Sequence, residues 1–314
     1  MKHKNSYALF FGLFALINLT NSQEVLDTFV AKEGDGIIPI LRREGLDIST
    51  YYQQFIDLNK DQISNGSLLK LGKTYKIPYS ETSFAQMGRK ISVSENNTDT
   101  PIFDTNFHAL SKKDSLLKNT VYYLLFDRFD PENLKLSRST SGSRNDVALR
   151  IAKELLEHDA RVFLFEYDND STIYLGDYVD AINKRFFKYR TAYQRLLVVD
   201  VDQEDFMDIA RTVTICQFDK SKEGEKFAKS MEQIFKSTKI KIDVTRMNDA
   251  IFIDKANVYV ANNALPPMTY IKIKGQSKKG NNKAIADSNK NKFVDLVTTG
   301  IQIDYSNLVL EDQD

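Results

Sequence analysis

Cysteine is almost absent from this sequence. Cys216 is the only one in 314 residues, so the chain can close no disulfide within itself. It sits in the apolar run Thr214-Ile215-Cys216-Gln217-Phe218, which reads as a buried inert thiol rather than a nucleophile. Histidine is scarce too, and beyond residue 22 only His108 and His158 remain. Charge of one sign is missing: 43 basic and 43 acidic residues cancel, so nothing points to nucleic acid or an anionic lipid surface. What is present is ordinary globular material, 42% hydrophobic and 27% charged, enough for one medium domain and a small one.

The first residues read as an address. Lys2 and Lys4 precede an apolar run from Tyr7 to Leu19, and Thr20, Asn21 and Ser22 follow with small residues placed for cleavage after Ser22. This is the layout of a secretory signal peptide over 1–22, and the run falls short of the roughly 20 residues a membrane span needs. Cleavage leaves 41 basic and 43 acidic residues, a charge near −2. An exported chain without disulfides fits the periplasm or cell envelope of a bacterium better than an animal secretory route.

Residues 27–78 follow. A strand over Thr28–Ala31 leads into a Gly34-Asp35-Gly36 turn, and a helix starts there with Ile37, Ile40 and Leu41 as its stripe. Ser49 or Thr50 can cap a second helix that buries Tyr52, Phe55, Ile56 and Leu58 and ends at Asn59. A Gly72 turn and a closing strand, Thr74–Ile77, complete the stretch. The order strand–helix–helix–strand, with Glu33-Gly34-Asp35, Asn59, Leu68-Leu71-Gly72 and Tyr75-Lys76-Ile77-Pro78, resembles a LysM domain. That resemblance implies a shallow groove for N-acetylglucosamine-containing glycans, formed by Gly34, Asp35, Gly36 and Ile37 on one side and the loop from Asn59 to Ile63 on the other. Gly36 stands where the family usually has a small hydroxyl residue. For each of Gly34, Asp35 and Asn59, turn and cap chemistry alone is the competing reading.

Residues 79–117 read as a linker, with Ser, Thr and Asn clustered at 92–100. Strand and helix signals then alternate: strands at Val121–Phe126, 161–167, Leu196–Val201 and Thr212–Gln217, with helices from Ser143, at Tyr174–Arg185 and at Glu223–Phe235. Two more strands, Ala256–Ala261 and Thr269–Lys274, flank Pro266-Pro267, and Phe293–Thr299 makes a last helix before a tail, 307–314. The fold class expected is α/β: the small βααβ unit plus a larger three-layer domain, 118–306, with a mainly parallel sheet.

The order of these elements and the words DVALRIAKELLEHDARVFLF, YLGDYVDAIN, KANVYVANNALPPMTYIKIKG and FVDLVTTGI resemble the catalytic domain of zinc-dependent N-acetylmuramoyl-L-alanine amidases. The resemblance implies two histidines and a glutamate on zinc and a second glutamate as general base. This sequence departs at all four places: Asp127 after the first strand, Arg144 at the opening of the next helix, Asp200 at the end of the third strand, and Lys272 for the base. His108 lies before the domain and His158 closes a helix, so neither replaces a missing ligand. Three readings of the departures stay open. Lys272 can pair with Asp200 or Asp127 in a repacked, metal-free cleft. Alternatively Asp127, Asp130, Asp200, Asp202 and Glu204 form a new oxygen cluster for Mg²⁺, Ca²⁺ or Mn²⁺, against which a lysine argues. In the third, they are solvated loop charges.

Two basic stretches remain. KGQSKKGNNKAIADSNKNK, 274–292, reads as a surface loop, with a landing strip for an anionic glycan or acidic partner as the sharper option. KRFFKYRTAYQR, 184–195, interleaves aromatics and bases, which suits a polyanion or simply a helix end leading into the sheet. The function expected is that of a peptidoglycan-binding envelope protein with an amidase-like domain that has lost zinc and catalysis, a scaffold or regulator with no cofactor. Its partners would be glycan chains and another envelope protein, with no nucleic acid and no membrane span after cleavage. The alternative is an active, strongly diverged amidase.

Overall fold

A computed structural model describes residues 26–63, 68–93, 99–103, 110–126, 128–130, 135–137, 142–166, 173–201, 206, 211–218, 222–238, 241–247, 255–275 and 283–311. The signal peptide expected over 1–22 lies outside them. The first unit is β1 (Thr28–Val30), α1 (Ile37–Arg43), α2 (Ile48–Leu58) and β2 (Thr74–Lys76). Its strands pair antiparallel with Phe29 opposite Tyr75. Phe29, Phe55 and Tyr75 pack together, with Tyr75 stacked 5.7 Å from Phe29 and 6.3 Å from Phe55, and Ile40 and Leu41 close the core from α1. Each such buried side chain contributes about 1.5–3 kcal/mol, which lets so small a unit hold together. Gly34 and Gly72 take φ of +86° and +73°, a region open to glycine, and make the turns that return the chain. The cap of α2 is Asp47, not Ser49 or Thr50: its carboxylate accepts the Thr50 N–H at 2.9 Å, the short acceptor an N-cap needs.

The rest of the chain builds the large domain from α3 (Phe84–Met87), β3 (Gly88–Ser92), β4 (Asp99–Pro101), β5 (Thr120–Leu125), β6 (Arg128–Asp130), β7 (Lys135–Ser137), α4 (Gly142–Glu157), β8 (Arg161–Glu166), α5 (Leu175–Lys188) and β9 (Tyr193–Asp200). It continues with β10 (Arg211–Phe218), α6 (Lys222–Lys236), β11 (Lys241–Met247), α7 (Lys255–Asn263), β12 (Met268–Gly275) and α8 (Lys283–Glu311). Apart from a β6–β7 hairpin, these strands form one eight-stranded sheet in the order β11-β10-β12-β9-β5-β8-β3-β4. The strands β3, β8, β5, β9 and β12 run parallel, and β10 joins β12 antiparallel. Strand β5 is buried along its whole length, as a central parallel strand covered on both faces must be. Tyr122, Leu124, Leu197 and Val199 face a core shared with α4, α6 and α8, while Val121, Tyr123, Leu196 and Val198 face α5 and α7. This period-2 alternation defines three layers.

Helix α8 is fastened to the sheet by charge. Arg195, 2% exposed, lies over the Tyr193 ring at 4.4 Å and meets Asp304 at 3.6 Å.

Several sequence expectations change. Ala256–Ala261 is not a strand but the body of α7. Its alternating Val-Tyr-Val favours a strand, but Ala256 and Val260, four apart, both bury against the α5 layer, and packing overrides propensity. The expected linker contains α3 and two strands of the main sheet, because Gly88–Ser92 pairs with β8. Met87 and Ile91, four apart in sequence, bury into opposite sheet cores. Strand β11, not expected at all, pairs parallel with β10. The segment read as a basic surface loop is helical from Lys283, and Lys290 is buried on Asp146 at 3.0 Å. The tail continues α8 to Glu311.

Candidate functional site

The carboxyl end of the sheet is where the four departures were expected to meet. Strand β12 runs parallel to β9 with Lys272 directly opposite Asp200. The Lys272 ammonium stands 3.3 Å from Asp200 Oδ2, and the Tyr270 hydroxyl donates to the same oxygen at 3.1 Å. Tyr270 and Lys272 are two apart on one strand and so share a face, and that face carries Asp200 from the neighbouring strand. Asp200 is 5% exposed, whereas the Lys272 side chain keeps 45% of its surface in water. The aspartate is thus the buried partner, and the lysine reaches in over it.

Arg144 lies in the first turn of α4, as expected, although its side chain and that of Asp130 are outside the described residues. Asp127, Asp202 and Glu204 lie outside them as well, and so does His108. His158 is at the other end of α4, where its Nδ1 bonds to Asp114 at 2.9 Å. Among the described residues, no three His, Cys, Asp or Glu side chains converge as a metal site would require. Cys216 is buried on β10.

Two residues at this end make contacts that the sequence reading did not assign. Asp146, one half-turn beyond Arg144, accepts from Arg150 at 2.9 Å and Lys290 at 3.0 Å. Burial raises its pKa, but those bonds outweigh burial and hold it below the usual aspartate value. Tyr270 was the other, and its signal was legible: it precedes Lys272 by one strand period.

In the small unit the expected groove residues divide. Gly34 is exposed. Asp35 accepts the Lys32 N–H at 2.8 Å and pairs with Arg43 at 3.5 Å. Ile37 is 2% exposed and belongs to the core, and Ile63 packs half-buried against it. Asn59, also 2% exposed, donates to the Phe55 and Lys76 carbonyls, both at 2.8 Å, and accepts the Lys76 N–H at 2.7 Å. Its side chain ties the end of α2 to β2. The Gln62 and Ile63 amides are spent on the Asn59 carbonyl. Gly36, the N-cap of α1, brings no side-chain cap, so the first-turn amides there keep no side-chain acceptor from that residue.

No protein-family model and no curated protein matches this sequence. Among solved structures, similar chains include the N-acetylmuramyl-L-alanine amidase Ami1 of Mycobacterium smegmatis, at 12% identity and a TM-score of 0.39 over 61% of this chain and 99% of that one. The N-acetylmuramoyl-L-alanine amidase AmiC2 of Nostoc punctiforme matches at 16% and 0.36, over 58% and 94% of the two chains. The N-acetylmuramoyl-L-alanine amidase of Clostridium difficile 630 matches at 16% and 0.35, over 62% and 97%. A likeness of this degree fixes no chemistry.

Proposed function

We propose that this is an exported protein of the bacterial envelope that binds peptidoglycan and does not cleave it. The βααβ unit, read as a LysM-type module, holds N-acetylglucosamine-containing strands, and the larger domain serves as a scaffold or regulator for another envelope protein. One observation carries the loss of catalysis: the in-register pair of Lys272 and Asp200. A protonated lysine offers no lone pair to a metal and cannot act as a base, and it neutralises the one buried carboxylate beside it. These two positions therefore do not fit a zinc site, and no zinc is assigned. The glycan half is supported by the order and pairing of the small unit, whose Asn59 bonds rigidify one loop while Gly36 leaves the first turn of α1 uncapped. Among the described residues, five of the ten exposed large hydrophobics, Val30, Ile38, Leu58, Leu68 and Leu71, lie in this unit, and such surface suits the apolar faces of sugars. No helix of the described residues is long and apolar enough to cross a membrane.

The test is sedimentation of the full chain with purified sacculi, with and without added zinc, followed by chromatography of the soluble fraction. Co-sedimentation without release of stem peptides is expected. Stem-peptide release that stops on chelation would favour the diverged amidase, and failure to co-sediment would remove the glycan half.

A further inference from the structure

A concavity lies beside the segment that follows the small unit, toward the amino ends of β3 and β8. Its volume is about 440 Å³, and it is lined by the segment after β2, by strand residues Arg89 and Arg161, and by the last turns of α5. That volume suits one small ligand of sugar size. Five of the lining side chains are cations and two, Glu81 and Asp99, are acids.

The charges are unequally satisfied. Asp99 serves both Arg89, at 2.5 Å, and Arg185, at 3.5 Å. Arg161 donates instead to the backbone carbonyls of Gln86, at 2.6 Å, and Glu81, at 3.0 Å. Carbonyls fix a guanidinium in place without cancelling its charge, and they use two of its five donors. Among the described residues no carboxylate lies within ion-pair distance of Arg161 or Lys188. Both cations stand over the Tyr189 ring, Arg161 at 4.7 Å and Lys188 at 5.3 Å, and Arg185 lies 5.4 Å over Phe163. Cations in the last turn of α5 complement its dipole, but Arg89 and Arg161 come from strands, where no such account applies.

We propose that this pocket binds a small sugar bearing an oxyanion, a phosphate or a carboxylate. The oxyanion meets Arg161 and Lys188, and the ring packs beside Tyr189. This site is separate from the glycan face proposed for the small unit and from the Lys272–Asp200 pair, and it stands whether or not sacculi are bound. It gives a role to the mixed basic and aromatic stretch that begins at Lys184.

The experiment is calorimetric titration of the full chain with glucose 6-phosphate, glucuronate, glucose and inorganic phosphate. Saturable binding of glucose 6-phosphate or glucuronate below about 10 mM is expected, with glucose weaker by about tenfold or more. The phosphate and carboxylate arms show which oxyanion the pocket prefers. Lys188→Glu is expected to weaken the anionic sugar by about tenfold while leaving the fold intact, since among the described residues the Lys188 side chain touches only the Tyr189 ring and makes no hydrogen bond or ion pair. Arg161→Lys keeps the charge but loses the fork, and is expected to weaken binding less than Lys188→Glu. Glucose binding as well as either anion, no saturation by either anion, or indifference to Lys188→Glu would overturn the site. Inorganic phosphate binding as tightly as glucose 6-phosphate would overturn the role of the ring.

Discussion

The carboxyl end of the sheet and the seam with the small unit handle charge in opposite ways. At the carboxyl end a buried acid has its cation in register: Asp200 faces Lys272 across a parallel pair, with Tyr270 on the same oxygen. At the seam the accounts do not close. Arg161 and Lys188 have no carboxylate within ion-pair distance among the described residues, and in the small unit Glu44 is 6% exposed with Arg43 at 3.7 Å and no hydrogen bond to its Oε1. Glu44 and Arg161 are tied to the same segment: Phe84 donates its N–H to the Glu44 carbonyl, while Arg161 holds the Glu81 and Gln86 carbonyls. Compensated charge serves folding, whereas uncompensated charge costs stability and persists where a ligand or a conformational demand uses it.

The comparison breaks most visibly by reversing the compensated end. Lys272→Glu places a second carboxylate opposite Asp200. The partially exposed new side chain softens the repulsion, yet Asp200 stays buried and loses its cation, so a loss of about 3 kcal/mol is expected in urea unfolding. Lys272→Met keeps the stem and is expected to cost about 1–2 kcal/mol, less because no like charge is added. Neither variant is expected to release stem peptides, since the one described histidine, His158, is committed to Asp114 at the far end of α4. An unchanged midpoint for Lys272→Glu would mean that the pair holds nothing.

Much of this carboxyl end could be read from the sequence. Apolar runs gave β5, β8, β9 and β10, and a pair between Lys272 and either Asp200 or Asp127 was one of the readings the charges left open. The seam could not be read in that way. Its pocket draws on residue 79, on 161 and on 184–189, and no local pattern announces that these close on one another. The 79–117 stretch looked like a linker because Ser, Thr and Asn surround a strand of only five residues, and what makes Gly88–Ser92 a strand is pairing with β8, a long-range event. Helix α7 failed for the same reason: Val258-Tyr259-Val260 prefers a strand locally and loses to the packing of Ala256 and Val260.

Glu44 sharpens the comparison through pH. Burial, the leading cause, raises its pKa from 4.5 to about 7, Asp27 adds to that, and Arg43 opposes it. Between those two values the folded state holds a proton that the unfolded chain releases, so stability falls as pH rises from 4.5 through 7. Glu44→Gln removes this titration, and its advantage over the parent chain is expected to grow from nothing at low pH to about 3 kcal/mol above the folded value. Urea midpoints of both chains across pH 4.5 to 8 measure it. A constant offset across the range would show that Glu44 has found a full partner after all.

The smallest effect is the most diagnostic of the seam, because its sign decides. Lys188 stands in the last turn of α5, near Arg161 and Arg185 and over Tyr189. If it serves only the helix dipole, Lys188→Ala destabilises by about 0.3–1 kcal/mol. If it is surplus charge held for a ligand, removing it relieves repulsion among the remaining cations, and stability changes by less than about 0.5 kcal/mol in the favourable direction. Salt separates the two further: screening shrinks a repulsion relieved by Lys188→Ala, so the gain is expected to fade as sodium chloride rises toward about 1 M. A loss at low salt would return Lys188 to the helix, and the charge surplus at the seam would then rest on Arg161, whose guanidinium has carbonyls for partners and lines the pocket over Tyr189.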